Sequence, residues 1–328
     1  MWLLIMQSHI QNHSDDSEAH NNPVLECSHL RLETGGQMPA ELIDGRAIAA
    51  AIREELKDRI AALDGAVPGL AVLVIGDDPA AQSYLRGIAR GCEVVGIYTE
   101  TVRLPQDATQ KSLEDAISRL NSDTRFHGII LQLPLPKHLD SLRAESAVSP
   151  DKDVDGTNPI SAGKLLLGEE TFFPSTAYGV KELLVRSGYS AEGRHVVICG
   201  RSNIVGKPLA GILVQKQPGA NATVTVCHTG TRNLPEITRS ADILVAAIGR
   251  PRAISADMVR EGAVVVDVGV NQVEDPTTGK PRLVGDVDFD AVAEKAGAIT
   301  PVPGGTGPVT TAMLLTNTVT AAERLLAR

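Results

Sequence analysis

Residues 200–208 read Gly-Arg-Ser-Asn-Ile-Val-Gly-Lys-Pro and follow the apolar run His195–Cys199. A buried strand, a glycine-containing turn and a helix in this order are typical of a dinucleotide-binding unit. The first N–H groups of such a helix are unpaired and favour an anion, and Gly200 and Gly206 would let the backbone approach a pyrophosphate. The spacing departs from GxGxxG, because Ser202 and Val205 stand where glycines are expected. By this pattern alone, a purely structural strand–helix turn is an equal alternative.

Strand and helix patterns alternate on both sides of this turn. Apolar residues four apart predict an amphipathic helix over residues 47–63, and continuous apolar runs predict strands buried on both faces. The first unit is predicted as helix 47–63, strand 70–75, helix 79–95, strand 97–104, helix 112–121 and strand 128–133. The second is predicted as strand 195–199, helix 208–215, strand 223–227, helix 234–240 and strands 243–248 and 263–268. The fold class is therefore α/β with two domains, and helix 309–326 is expected to pack back on the first.

The composition is that of an ordinary globular chain: 328 residues, 43% hydrophobic and 22% charged. Lys and Arg number 31 against 40 Asp and Glu, and the net charge of −9 argues against nucleic acid or an anionic membrane as a general partner. The 4 cysteines form no CxxC pair and have no histidine at zinc-ligand spacing. They predict free thiols in a reduced compartment, the cytoplasm, and no metal site. No apolar run approaches the length of a membrane span.

Residues 1–38 differ from the rest of the chain. The apolar start Met1–Met6 is too short for a signal-peptide core, and acidic residues follow it. We expect a disordered extension, or an upstream start codon with Met38 as the true first residue.

The end of the second predicted strand of the dinucleotide unit bears on the choice of cofactor. It continues into Cys227, His228, Thr229 and Gly230 without an acidic residue to hold the ribose hydroxyls of NAD. Arg201 is placed to hold the extra phosphate of NADP instead. The alternative is that Arg201 is a solvated turn residue.

Several segments in series resemble one family, the methylenetetrahydrofolate dehydrogenase/cyclohydrolase (FolD) family. The resemblance runs from about residue 41 to the end of the chain. The matching segments are QLPLP (132–136), PDKDVDG (150–156), the 200–208 turn, VDVGVN (266–271), GDV (285–287) and TPVPGG (300–305).

The resemblance implies a folate-binding catalytic domain of residues 39–158 plus 303–328, and an NADP-binding Rossmann domain of residues 159–302. In such enzymes NADP takes a hydride from the bridging carbon of methylenetetrahydrofolate, and methenyltetrahydrofolate results. A cyclohydrolase step in the same cleft then yields formyltetrahydrofolate for one-carbon metabolism. The resemblance also implies a homodimer.

Carried onto this chain, the catalytic residues are Tyr84, Gln132 and Asp155. Asp155 would accept hydrogen bonds from the pterin ring, since a carboxylate suits paired N–H donors. The other residues implied around the folate are Leu133, Pro134, Pro303, Gly304 and Gly305. Those implied around the cofactor are Gly200, Arg201, Ser202, Ile204, His228, Thr229, Val270 and Thr310. Taken singly, Asp155 also fits a turn, Gln132 a strand end and Tyr84 the core.

One departure from the family pattern bears on chemistry. The family's catalytic lysine follows the tyrosine by four residues, and Ile88 holds that position here. Ala81 and the segment Pro174–Ala177 (PSTA) differ as well. Cyclohydrolysis needs proton transfer, which isoleucine cannot supply, whereas hydride transfer is mainly a positioning task. We therefore predict a dehydrogenase whose cyclohydrolase activity is lost or very weak.

Three other readings remain open. The first is a bifunctional enzyme in which another group replaces the lysine. The second is a folate- or nucleotide-binding paralogue without catalysis. The third, a two-domain NADP dehydrogenase of small hydroxy acids, is disfavoured by the segments 132–136 and 152–156.

Overall fold

A computed structural model describes residues 40–76, 79–275 and 279–327 of the chain. The predicted disordered extension, residues 1–38, lies outside these ranges, and so do the side chains of residues 79–84. The first part of the chain forms β1 (Glu41–Leu42), α1 (Gly45–Ala61), β2 (Gly69–Ile75), α2 (Pro79–Val95), β3 (Tyr98–Leu104), α3 (Gln110–Ser122) and β4 (Gly128–Leu131). Three helices follow: α4 (Ser141–Ala147), α5 (Pro159–Leu167) and α6 (Ser175–Arg186).

The second part carries most of the larger sheet. Its elements are β5 (His195–Cys199), α7 (Gly206–Leu213), β6 (Thr223–Cys227), α8 (Leu234–Arg239), β7 (Ile243–Ala246), β8 (Val264–Asp267), β9 (Asn271–Glu274), β10 (Pro281–Val284), α9 (Phe289–Ala293), β11 (Ala298–Ile299) and α10 (Thr306–Leu326).

Two parallel sheets organise the molecule. The smaller sheet has the order β3-β2-β4, and the larger has six strands in the order β1-β11-β8-β7-β5-β6. Parallel strands need crossover connections, and the apolar strands β2, β4, β7 and β8 are fully buried, as strands covered on both faces must be. The chain reverses its direction of sheet growth at β5, so a crevice opens beyond the carboxyl ends of β5 and β7.

Helix α10 joins the two halves of the molecule. It packs against α6, α1 and α2, and it also touches β2 and β4. Its inner face is apolar, with Val309, Met313, Leu314 and Val319 all buried. The expected return of the last helix to the first unit is therefore found.

One strand lies apart from the predicted folate domain of residues 39–158 plus 303–328, a division that stays a prediction. Glu41 and Leu42 pair with Ala298 and Ile299, so β1 is the outer strand of the larger sheet. A two-residue strand has no sequence periodicity, and its pairing is decided by a partner far along the chain. The predicted strand 128–133 ends early, at Leu131: Gln132 N still donates to the neighbouring strand, but residues 133 and 134 form a bend, and Pro134 has no N–H for the ladder.

Within the described ranges, no helix combines the length and the apolar composition needed to span a membrane.

Candidate active site

The crevice beyond β5, β6 and β7 contains a cavity of about 480 Å³. Gly200, Arg201, Ser202, His228 and Thr229, all predicted cofactor residues, line it. Arg201 and Ser202 are exposed to solvent, while His228 is half-buried. The His228 ring accepts a hydrogen bond from Gly230 N at its Nδ1 atom (3.1 Å), which orients it at the rim. The size and position of this cavity suit a dinucleotide.

The two glycines of the 200–208 turn are required by the packing of the backbone itself. A Cβ at Gly200, whose φ is +143°, would fall on the carbonyl oxygen of Ala247, and a Cβ at Gly206 would fall on the carbonyl oxygen of Gly200. Close backbone packing therefore requires glycine at both positions, in addition to the expected approach of a pyrophosphate. Ser202 Oγ accepts a hydrogen bond from Val205 N (3.1 Å) and holds the turn in shape.

A buried carboxylate fixes the opposite wall of this cavity. Asp286 is fully buried, and its Oδ2 atom accepts hydrogen bonds from Ile248 N (2.6 Å) and Gly249 N (2.8 Å). Its Oδ1 atom accepts from Arg250 N (3.0 Å) and from the side-chain amide of Asn271 (2.8 Å). This aspartate belongs to the GDV segment, where the sequence indicated family resemblance but no role.

On the side of the smaller sheet, Gln132 follows β4 directly. Its N–H still donates to Leu73 O (2.9 Å), and its side chain is 7% exposed. Nε2 donates to Leu133 O (3.0 Å), but no donor among the described residues reaches the buried Oε1 atom. A buried acceptor without a partner is costly unless a ligand supplies the hydrogen bond. Leu133 packs at the edge of the core and Pro134 is exposed beside it.

Asp155 lies in a turn held against the start of α6. Its Oδ1 atom accepts a hydrogen bond from Ser175 Oγ (3.1 Å). Although part of the residue reaches solvent, burial of the carboxyl raises its pKa to about 7, and the nearby charges of Asp153 and Glu145 act in the same direction. The Ser175 hydroxyl opposes this shift by stabilising the charged form. Ser175 is a partner that the sequence did not predict.

A second cavity, of about 300 Å³, lies between the larger sheet and the start of α10. Val270, Pro303, Gly304 and Gly305 line it together with Arg46 from α1. Gly304 and Gly305 are buried and Pro303 is exposed, so the predicted backbone wall faces this space. Thr310, a predicted cofactor residue, is not among the lining residues. Its hydroxyl donates to Thr306 O (3.2 Å) within α10.

A third cavity, of about 280 Å³, connects the two halves. Gly156 and Pro174 line it from the segments that hold Asp155 and Ser175, and Ile204 and Lys207 line it from the 200–208 turn. Ile204 thus lies on the side of the turn that faces the first unit, away from the 480 Å³ cavity. The side chain of Tyr84 lies outside the described part of the chain, so its predicted role stays a prediction.

The two sheets and the cavity at the carboxyl ends of β5, β6 and β7 define a two-domain α/β protein of the dinucleotide-binding class. Two family models match the chain: "Tetrahydrofolate dehydrogenase/cyclohydrolase, catalytic domain" over residues 43–155, and "Tetrahydrofolate dehydrogenase/cyclohydrolase, NAD(P)-binding domain" over residues 174–326. The chain belongs to the tetrahydrofolate dehydrogenase/cyclohydrolase family.

Individual relatives cover nearly all of the described chain. The bifunctional protein FolD of Dehalococcoides mccartyi (strain CBDB1) is 57% identical over 290 residues, which are 88% of this chain and 98% of that protein. The solved bifunctional FolD of Campylobacter jejuni is 45% identical with a TM-score of 0.82, covering 87% and 99% of the two chains. The Trypanosoma brucei FolD, solved with NADP and an inhibitor, is 40% identical with a TM-score of 0.83, covering 89% and 100%.

Proposed function

We propose that this protein is an NADP-dependent methylenetetrahydrofolate dehydrogenase. The observation that supports the proposal is the 300 Å³ cavity, because Val270, assigned to the cofactor, lines it together with Pro303, Gly304 and Gly305, which are assigned to folate. Hydride transfer requires two rings held in contact, and a cavity lined by both sets of residues is where such a contact can form. A solved silkworm (Bombyx mori) relative, 40% identical over 88% of this chain and 100% of its own, is described as a methylenetetrahydrofolate dehydrogenase.

The roles of the residues follow from their positions. Asp155, when ionised, accepts hydrogen bonds from the pterin N–H groups, and the free Oε1 atom of Gln132 accepts one near the reacting carbon. NADP, when bound, accepts the hydride. Arg201 at the rim of the 480 Å³ cavity holds the additional phosphate, and no acidic residue follows β6 to favour NAD. In this assignment residues 39–158 and 303–328 hold folate, apart from the β1 strand, and residues 159–302 hold the cofactor.

We further propose that the cyclohydrolase step is lost or very weak. Ile88 is 1% exposed and belongs to the same core cluster as Cys92 and Val95, so an apolar side chain fills the position of the family's catalytic lysine. No proton can be exchanged there.

A two-wavelength assay tests both statements. With methylenetetrahydrofolate and NADP, we expect NADPH to form while methenyltetrahydrofolate accumulates. A bifunctional enzyme would instead pass the methenyl compound on as fast as its bifunctional relatives do, and a non-catalytic paralogue would bind either ligand in calorimetry without forming NADPH.

The substitution Ile88→Lys is expected to raise the rate of methenyltetrahydrofolate hydrolysis at least tenfold. A lysine at this buried site has a lowered pKa and can exchange a proton near neutral pH. Gly87→Lys is the matched control, since residue 87 is exposed on the same helix and its amine would face solvent. Equal hydrolysis rates in the two variants would contradict the role assigned to position 88.

Two further proposals rest on the family resemblance. The first is a homodimer, and it is supported by β6, an edge strand that pairs within the described chain only with β5 and carries Val226, which is 36% exposed. Light scattering coupled to gel filtration tests it, and a monomer at micromolar concentration would refute it. The second, a cytoplasmic location, is tested by cell fractionation.

A further inference from the structure

Helix α10 carries a buried side-chain amide whose two hydrogens serve two distant segments. Asn317 is 4% exposed, and its Nδ2 atom donates to Val154 O (2.8 Å) and to Phe173 O (3.0 Å). These carbonyls lie 163 and 144 residues away in sequence. An amide group can donate two hydrogen bonds at once, whereas a hydroxyl can donate one and a carboxylate none.

The two segments meet at the folate side of the site. Val154 immediately precedes Asp155, and Phe173 lies two residues before Ser175. Gly156, at φ +62°, approaches the second segment so closely that a Cβ there would lie 2.7 Å from Pro174 N. The hydrogen bond from Ser175 Oγ to Asp155 Oδ1 spans the same junction.

We propose that Asn317 is a positioning residue that fixes the Asp155–Ser175 pair for folate binding. The inference rests on the proposed function, because it takes Asp155 as the group that holds the pterin. Asn317 acts through the backbone: it sets the separation of the two segments, and thereby the direction in which the Asp155 carboxyl faces. It does not touch the ligand in this scheme.

The hydroxyls next to Asn317 on α10 do not bond to the segments around Val154 and Phe173. The hydroxyls of Thr316 and Thr318 donate to Ala312 O and Leu314 O, both at 2.9 Å and both within the helix. Thr318 is fully buried, one position from Asn317, and has nearly the shape of valine. Thr318→Val is therefore a control that removes a buried hydrogen bond from the same helix turn without releasing either segment.

The test compares Asn317→Asp with Thr318→Val in the full chain. Asn317→Asp keeps the side-chain shape but places an acceptor against two carbonyls, so the segments should separate. We expect the Kd for tetrahydrofolate and the KM for methylenetetrahydrofolate to rise at least tenfold, while the Kd for NADP stays within twofold. Thr318→Val should leave all three within twofold. Asn317→Ala, which removes both donors without adding a charge, is expected to raise both constants as well and serves if Asn317→Asp does not fold.

A double-mutant cycle with Ser175→Ala measures the coupling between the two substitutions in folate affinity, which general destabilisation would not change. If both residues act on Asp155, the combined loss in folate affinity should be well below the product of the two single losses. Equal weakening of folate and NADP binding, or multiplicative losses, would overturn the inference.

Calorimetry with tetrahydrofolate on the unmodified protein separates the role of Asn317 from the proposed dehydrogenase activity. If the unmodified protein binds tetrahydrofolate but forms no NADPH in the assay, the dehydrogenase proposal is refuted, and the comparison of the Asn317 variants by folate affinity still decides the role of Asn317. An unmodified protein that binds no folate refutes both.

Discussion

Asp155 is the residue whose chemistry depends most on its surroundings. Its pKa of about 7 arises first from burial of the carboxyl and then from the charge of Asp153, with a smaller contribution from Glu145. A carboxyl with this pKa is largely protonated at pH 6 and ionised at pH 8. Only the ionised form accepts hydrogen bonds at both oxygens.

We therefore expect kcat/KM for methylenetetrahydrofolate to be constant above about pH 8 and to fall about tenfold per pH unit well below pH 7. Ser175→Ala removes a hydrogen bond that lowers the Asp155 pKa, so the midpoint of the profile should move up. Glu145→Gln removes a charge that raises this pKa, so the midpoint should move down. Midpoints that move in the same direction in both variants would contradict the assignment of the profile to Asp155.

Arg201 is expected to decide between NADP and NAD. Charge-assisted hydrogen bonds contribute about 1.5–3 kcal/mol, so Arg201→Ala should weaken NADP binding about 10- to 150-fold and leave NAD binding nearly unchanged. Lys207→Ala is the matched control. Lys207 is a cation of the same turn, but its Nζ atom donates to Asn203 Oδ1 (2.7 Å) and it lines a different cavity. Fluorescence titration of both nucleotides measures the ratio, and an unchanged ratio in Arg201→Ala would remove Arg201 from the phosphate site.

The residues of the site differ in how far the sequence predicts them. Gln132 and Asp155 stand in short motifs, so the family resemblance indicates them without any structure. Ser175 and Asn317 contact these motifs across 20 and 163 residues, and no local pattern signals such contacts. Asp286 was recognised in its motif, but its bonds to the turn after β7 depend on how the strands are ordered in the sheet.

At the scale of elements, the strands at 195–199 and 223–227 are predicted to the residue. Both are rich in apolar or β-branched residues, and a glycine or a polar residue follows each of them, so local composition indicates where they lie. Helix ends were predicted less well. α7 begins at Gly206, two residues before the predicted start, because Pro208 is tolerated within the first helical turn. Helices α4, α5 and α6 were not predicted, although Asn158 and Pro159 form a typical start for α5.

Two glycines, one within α5 and one directly after its last residue, should respond in opposite ways to the same substitution. Gly163 is exposed within the helix and a Cβ there meets no neighbour, so Gly163→Ala should stabilise the protein by about 0.5–1 kcal/mol. Gly168 ends the helix at φ +74°, so Gly168→Ala should destabilise it by about 1 kcal/mol. Urea unfolding measures both, and a destabilising Gly163→Ala would show that α5 is not formed as described.

At the scale of the whole molecule, α10 couples the two units, because it packs on α1 and α2 as well as on α6. We expect a single unfolding transition. NADP at about 100 times its Kd should raise the free energy of unfolding by about 2.7 kcal/mol for both units together. Hydrogen exchange would then slow in β2 and β4 as well as in β5. Two transitions, with NADP shifting one of them, would contradict this coupling.

Each end of the described chain packs on the unit that is built mainly from the opposite half of the sequence. β1, near the start, completes the sheet that is built mainly from the second half, and α10, at the end, covers the unit built from the first half. On the ribosome, the first unit therefore emerges without the helix that closes its core, and it must wait until the 21 residues of α10 have been synthesised. Separately expressed halves would each lack a structural segment, so this enzyme is not divisible into two independently folding pieces.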